Sequence, residues 1–364
     1  MISIPIKVED FTADWMNKAL ASQLGTSQVT TCKARLSEVP GQTAEIVLID
    51  LDYSEPNDLP SHLVAKIASF NKVVIDNLIS HYDQYYREAS FYREIKEVGI
   101  STPKCFYIDH EHETQSFIIL MEDLAPAQSP SWAISPGEVI TALRALPTFH
   151  SRWWNMTDLR KKDWMVQFDN RLFFETAISA AAGAKDVLNK YYGSESELSV
   201  ELMAVTQERI NAALDFISSR PYTFVHGDYH AKQIFFPTAA GGNFSVIDWQ
   251  FPFVAQGAWD FARLETMCLE TSVRQSHEKV LLENYLGGLK SGGVTDYGMN
   301  DLEGDYRVGL VISQMIMCIA HRETEVRLLQ EECANLNVDW REAILLRTQR
   351  AIDEWEAIDF IKSL

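Results

Sequence analysis

A chain of 364 residues is long enough for two compact units or one large domain, so a buried core is assured. Its 32 basic against 51 acidic residues leave a formal charge of −19, which opposes contact with nucleic-acid phosphates and with anionic membrane surfaces, so neither is expected as a partner. The five cysteines, Cys32, Cys105, Cys268, Cys318 and Cys333, are scattered and never spaced Cys-x-x-Cys, as free thiols in a reducing compartment would be.

The opening "MISIPIKVEDF" has neither a basic region nor a long apolar core, and the apolar "GLVISQMIMCIA" is too short to span a bilayer, so the sequence predicts a soluble, cytoplasmic protein. Up to about residue 123 it predicts strands around one prominent helix. In "AEIVLIDLDY" the alternation puts Val47, Ile49, Leu51 and Tyr53 on one face of a strand, and "SHLVAKIA" is a second apolar run carrying Lys66 as a lone cation. The stretch "ISHYDQYYREASFYREIKEVG" predicts a helix capped by Gly99. On it Tyr85, Glu88, Phe91, Tyr92 and Ile95 share a face, which places a carboxylate on an apolar stripe and calls for a buried partner; Glu94 lies off the stripe. "KCFYIDH" and "SFIILMEDL" flank polar "EHETQ" and predict a hairpin, after which "APAQSPS" has the composition of a linker.

From about residue 134 the pattern turns helical. "SPGE", residues 135–138, matches a capping box with proline at the first helical position. Helical periodicity continues over 173–190, 197–218, 259–291 and 301–362, interrupted by a β-rich island at 223–253. The simplest organisation is a sheet-bearing unit, residues 1–123, and a larger helical unit, residues 124–364.

Within the island, "FVHGDYHAKQIFF" alternates His226, Asp228 and His230. In a straight strand the three project to one face with ligand types suited to zinc or iron, the basis of a metal-dependent hydrolase. Such a claw needs further ligands, and no second His/Cys cluster has metal-ligand spacing; "DHEHE", residues 109–113, falls at a hairpin turn. A different reading follows from the next residues. "QIFF" and "FSVID", separated by turn-rich "PTAAGGN", predict a hairpin whose return brings Asp248 beside Gln233 and near Asp228. Two carboxylates held together are costly without a cation, and magnesium, a hard ion with oxygen ligands, answers that need.

"HGDYH", a polar residue three positions later and then "VIDW" resemble the catalytic and metal-binding loops of the aminoglycoside phosphotransferase and choline kinase-like superfamily. "VEDFTADWM", "LPSHLVAKIA" and "FHSRWW" look more specifically like its ecdysteroid kinase-like branch, and the resemblance runs from about residue 5 to residue 265. It implies an α+β, protein-kinase-like two-lobed fold with a small β-rich N-lobe and a larger, mainly helical C-lobe. The activity it implies is ATP-dependent phosphorylation of a hydroxyl on a small organic molecule, with magnesium.

Carried over residue by residue, the resemblance makes Lys66 the phosphate-binding lysine and Glu88 its partner. Gly41, Gln42 and Thr43 in "PGQTAE" become the phosphate-covering loop. Met121, Glu122 and Leu124 in "ILMEDL" become the hinge that meets adenine, the last two through their main chain. Asp228 accepts or orients the proton of the attacking hydroxyl, Asp248 chelates magnesium, and Asp260 in "GAWDFARL" braces the loop. Gln233 stands where the family normally has asparagine, and its extra methylene displaces the amide oxygen from a metal that demands good geometry. Two readings follow: a phosphotransferase acting on a small-molecule alcohol with ATP and magnesium, and a nucleotide-binding pseudokinase that regulates a partner.

Overall fold

The computed structural model describes every residue except 1, 39, 40, 42, 80, 81 and 322. Pro40 and Gln42 of the expected phosphate loop, and Ser80 and His81 of the expected first helix, therefore lie outside the described residues. The chain divides into two units, residues 1–128 with 237–251, and residues 129–236 with 252–364.

In the first unit β1 (Val29–Leu36), β2 (Ala44–Tyr53), β3 (His62–Ala68), β4 (Cys105–Glu111) and β5 (Ser116–Glu122) form an antiparallel sheet in the order β1-β2-β3-β5-β4. The alternation has its predicted consequence. Val47, Ile49 and Leu51 are buried with Leu63, Ala65 and Ile67 of β3, in one cluster with Trp15 and Met16 of α1 (Ala13–Ala19). Lys66 lies between Ala65 and Ile67, so the pleat sends it to the opposite face. There it meets α2 (Gln84–Glu94), whose predicted stripe, Tyr85, Glu88, Phe91 and Tyr92, is buried throughout.

The helix expected to reach Gly99 stops at Glu94 instead. Ile95 is already extended, at φ −96° and ψ 104°, and both Ile95 and Val98 are buried. Burying two β-branched side chains, which helices disfavour, outweighs another helical turn, and Gly99, at φ 96°, makes a separate left-handed turn.

The second unit is mainly helical. Its first long helix, α3 (Pro136–Arg152), opens on the predicted capping box: Glu138 N–H donates to Ser135 Oγ at 3.3 Å, and Ser135 N–H to Glu138 Oε2 at 2.8 Å. It continues through α4 (Arg171–Ala182), α5 (Lys185–Tyr192), α6 (Glu197–Glu208), α7 (Ile210–Ser218), α8 (Ala258–Cys268), α9 (Thr271–Ser291), α10 (Met299–Ala320), α11 (Glu323–Asn335), α12 (Arg347–Glu354) and α13 (Ala357–Ser363). The helical stretches break more often than their periodicity implies. Leu269, for example, leaves the helix between α8 and α9 in extended backbone (φ −94°, ψ 137°) and is fully buried there, so tertiary packing sets that break. Short strands β6 (Val166–Gln167), β7 (Thr223–Val225) and β8 (Ile234–Phe235) belong to this unit. β9 (Ser245–Val246) belongs to the first unit, where Val246 N–H donates to the Ser101 carbonyl at 2.8 Å, and β10 (Phe253–Ala255) joins β6 and β7 in a sheet. Among the described residues no helix is long and apolar enough to cross a membrane.

All of α8 is buried, its charged residues included, and one of these gives the fold a pH dependence. Tyr306 Oη lies 2.6 Å from Glu265 Oε2 and 2.9 Å from Glu278 Oε1, and a single hydroxyl proton cannot serve two carboxylates. Burial, and then the charge of Glu278, pushes the Glu265 carboxyl up to about 8 from an ordinary 4.5, so at neutral pH Glu265 supplies the missing proton. The fold therefore holds this proton more tightly than the unfolded chain does. Its stabilisation is complete below the ordinary value and is lost as pH rises through the raised one. Urea midpoints are expected to fall between about pH 5 and about pH 8, and Glu265→Gln to flatten that part of the curve. A variant with the same pH dependence as the parent would remove Glu265 as its source.

Candidate active site

In the first unit the face of the sheet opposite α1 gathers three charges. Lys66 Nζ lies 2.7 Å from Glu88 Oε2 on α2 and 2.7 Å from Asp248 Oδ1. Asp248 is brought there by its neighbour: the Trp249 ring stacks on Phe91 of α2 at 4.3 Å between centroids and 6° between planes, one turn from Glu88. Asp248 itself sits at φ 67°, a conformation uncommon outside glycine but accessible to aspartate. Burial opposes the charge on Lys66, yet Asp248 and Glu88 together hold its ammonium above the ordinary lysine value. Burial also pushes the Glu88 carboxyl up to about 7, more than Lys66 beside it restores. The pairing of Glu88 with the strand lysine that the resemblance implies is thus present, and Lys66 is shared with a second carboxylate.

The start of β2 lies at the same face. Thr43 accepts a 2.5 Å hydrogen bond on its carbonyl from the Tyr85 hydroxyl and donates its own hydroxyl to Gln250 Oε1 at 3.1 Å. A Cβ on Gly41 would fall within contact distance of the Ala44 carbonyl oxygen, so this close backbone approach requires glycine. At the other edge Met121 is buried, Glu122 N–H donates to the Lys104 carbonyl at 2.9 Å, and the Leu124 carbonyl accepts from Ala127 N–H at 2.9 Å.

In the second unit the loop after β7 is held by α8. Asp260 accepts His226 N–H at 2.7 Å on Oδ2 and Gly227 N–H at 2.9 Å on Oδ1, with His150 Nε2 3.3 Å from Oδ2 and His150 Nδ1 2.7 Å from the Tyr285 hydroxyl. Gly227, at φ 80°, turns the chain sharply into Asp228. One turn along α8 from Asp260, buried Arg263 donates Nε–H at 2.9 Å and Nη2–H at 2.6 Å to the same oxygen, Oδ1 of Asp228. Oδ2 is left with longer neighbours, Gln233 Nε2 at 3.4 Å and His230 Nε2 at 3.5 Å. Burial works against the charged form of Asp228, but Arg263, His230 and His226 hold its carboxyl well below the usual carboxylate range. This loop of the second unit thus carries an ionised carboxylate with one oxygen fixed and the other placed to accept a proton donor.

The alternating histidines do not make a metal claw. His226 Nδ1 accepts Asp228 N–H at 3.2 Å, the His230 ring stacks on Trp132 at 5.3 Å and 8°, and among the described residues no group of three His, Cys, Asp or Glu side chains is arranged to hold a metal. Arg263, His150, Tyr285 and Gln250 escaped the sequence reading. Arg263 had a detectable signal, a cation one turn after Asp260 on a helix that is mostly apolar; His150 and Tyr285 carry none, because their partners are distant in the chain.

Gly257, just before α8, tests the brace. A Cβ there would lie 2.6 Å from His150 Nδ1 and still closer to the Tyr285 hydroxyl. Gly257→Ala is expected to push His150 off Asp260 at a cost of about 1–3 kcal/mol, read as a lowered midpoint in urea unfolding. An unchanged midpoint would show that the brace has slack.

The sequence profile of the ecdysteroid kinase-like family matches residues 43–292. A Ralstonia eutropha protein of aminoglycoside phosphotransferase type, at 14% identity and a TM-score of 0.50, covers 96% of this chain and 97% of its own, and shows the same α+β, protein-kinase-like fold. Spectinomycin phosphotransferase, crystallised with ADP and spectinomycin, is 12% identical with a TM-score of 0.45, over 99% of this chain and 100% of its own. The uncharacterized oxidoreductase dhs-27 of Caenorhabditis elegans is 21% identical over 332 residues, 80% of this chain; the match spans 39% of that longer protein.

Proposed function

The chain belongs to the ecdysteroid kinase-like family, and on that footing we propose that it is an ATP- and magnesium-dependent phosphotransferase acting on a hydroxyl of a small organic molecule. The observation that carries this reading is the shared ammonium of Lys66. A structural ion pair needs one carboxylate; here Glu88 fixes the lysine while Asp248 accepts a second N–H of the same ammonium. Glu88, raised to about 7, carries only part of its charge near neutral pH, yet the two carboxylates together still exceed the one cation, and the Oδ2 atom of Asp248 has a single weak partner among the described residues, the Gln250 amide at 3.3 Å. A hard divalent cation fits that surplus.

In this reading Lys66 meets phosphate oxygens, Gly41 and Thr43 supply main chain close to them, and Met121 lines the adenine pocket. Because the Glu122 N–H is spent on Lys104, the purine edge is read through the Leu124 N–H. Magnesium, when bound, would neutralise charge on the transferring phosphoryl group, and Asp248 would be its carboxylate ligand. Asp228 orients the acceptor hydroxyl through Oδ2. Held ionised by Arg263, it acts more as a fixed hydrogen-bond acceptor than as a store for the proton.

The test is ADP formation from ATP and magnesium against a panel of sugars, aminoglycosides, amino alcohols, steroids and hydroxy acids. Turnover stimulated by one class, and lost in Asp228→Asn, supports the phosphotransferase. The pseudokinase reading draws on Gln233, whose amide nitrogen is turned toward Asp228; nucleotide binding without transfer to any alcohol would favour it.

A further inference from the structure

Gln250 has no part in the mechanism above, yet it joins two of its components. Its side chain is buried, with the residue 7% exposed, and its amide is used at both ends. Nε2–H donates to Asp248 Oδ2 at 3.3 Å, and Oε1 accepts the Thr43 hydroxyl at 3.1 Å. The orientation of the amide follows from its neighbours: an ionised carboxylate can only accept, so nitrogen faces Asp248 and oxygen faces Thr43. Thr43 is pinned independently at its carbonyl by Tyr85, whose hydroxyl in turn accepts Ser69 N–H at 2.8 Å. Trp249, between Asp248 and Gln250, is fixed by its stack on Phe91. The bridge is therefore anchored on both sides by groups that α2 holds in place.

We propose that Gln250 is a positioning residue of the nucleotide site, its single amide setting the phosphate-side start of β2 and the metal-side carboxylate as one piece. The inference rests on the phosphotransferase reading. It has a consequence that ordinary packing does not: Thr43, with no hydrogen bond to Asp248, influences magnesium binding through Gln250. With the bridge intact the Asp248 carboxylate is oriented before the metal arrives, and with the bridge cut that ordering must come from metal binding itself.

The experiment is fluorescence titration of mant-ATP, in excess magnesium and in EDTA, on the parent, Gln250→Ala, Thr43→Val and the double variant. Magnesium is expected to tighten binding to the parent, and that gain to shrink about tenfold in Gln250→Ala, the scale of one hydrogen bond to a charged group. Thr43→Val should shrink it as well, and the double variant should be no worse than Gln250→Ala. Additive losses, an unchanged magnesium gain, or equal losses with and without magnesium would each overturn the bridge while leaving the phosphotransferase standing. A parent that binds no mant-ATP in either condition would overturn both. Thr43→Val, nearly isosteric, keeps the test open if Gln250→Ala fails to fold.

Discussion

Asp228→Asn is expected to lower phosphoryl transfer by about 10²- to 10⁴-fold, the scale of a lost proton-handling group, with the KM for ATP nearly unchanged. The size follows from Arg263. Both of its donors converge on Oδ1, so in the variant they select the amide oxygen for that position and turn the NH2 to where Oδ2 was. An acceptor hydroxyl that must donate there would meet another donor. The change thus reverses polarity at the reacting position instead of merely removing charge. A coupled ADP assay on the best alcohol of the panel checks this, and a variant keeping about a tenth or more of parental turnover would take Asp228 out of the chemistry.

Lys66→Met is expected to cost the most stability, about 3–5 kcal/mol at pH 8, because it leaves Glu88 and Asp248 facing each other without a cation in a buried site. Glu88 is already raised to about 7 by burial, and without Lys66 it rises further, so its folded-state value lies above the unfolded one. Stability from the bound proton is full below the ordinary carboxylate value and drains as pH rises, so the defect should be smaller at about pH 6 than at about pH 8. Adding Glu88→Gln should recover part of the loss, since a neutral amide needs no counter-charge. Urea unfolding of both variants at the two pH values checks this; equal defects at both, with no recovery in the double variant, would mean that the buried carboxylate is not the source. Nucleotide binding should be lost in either variant.

The two predictions rest on features of different legibility. Lys66 and Glu88 could be singled out because each violates a local pattern, a cation in an apolar strand and a carboxylate on an apolar helix face, and a misplaced charge announces a partner. Asp228 and Asp248 were singled out through the resemblance of "HGDYH" and "VIDW" to the family's loops. Arg263 was legible only in part. Its spacing from Asp260 places both on one side of α8, but nothing local says that Asp260 grips the loop backbone while Arg263 grips its side chain. Helix ends were the least legible, because at Ile95 and Leu269 the chain leaves the helix to bury a side chain against residues remote in sequence.

Amino-acid order alone was enough for the period-two face of β2, the hairpin of β4 and β5, the capping box of α3 and the family to which the chain belongs. The first three depend on residues a few positions apart, whose geometry is set by backbone periodicity and hydrogen bonding within a turn, and the family on the order of short motifs along the chain. Tertiary structure alone decided that Lys66 serves two carboxylates, that Arg263 takes one oxygen of Asp228 and leaves the other, and that Gln250 spans from Asp248 to Thr43. Each of those choices joins side chains that only packing makes neighbours, Thr43 and Gln250 being 207 positions apart, and the energy that selects among possible partners arises when water is excluded around them.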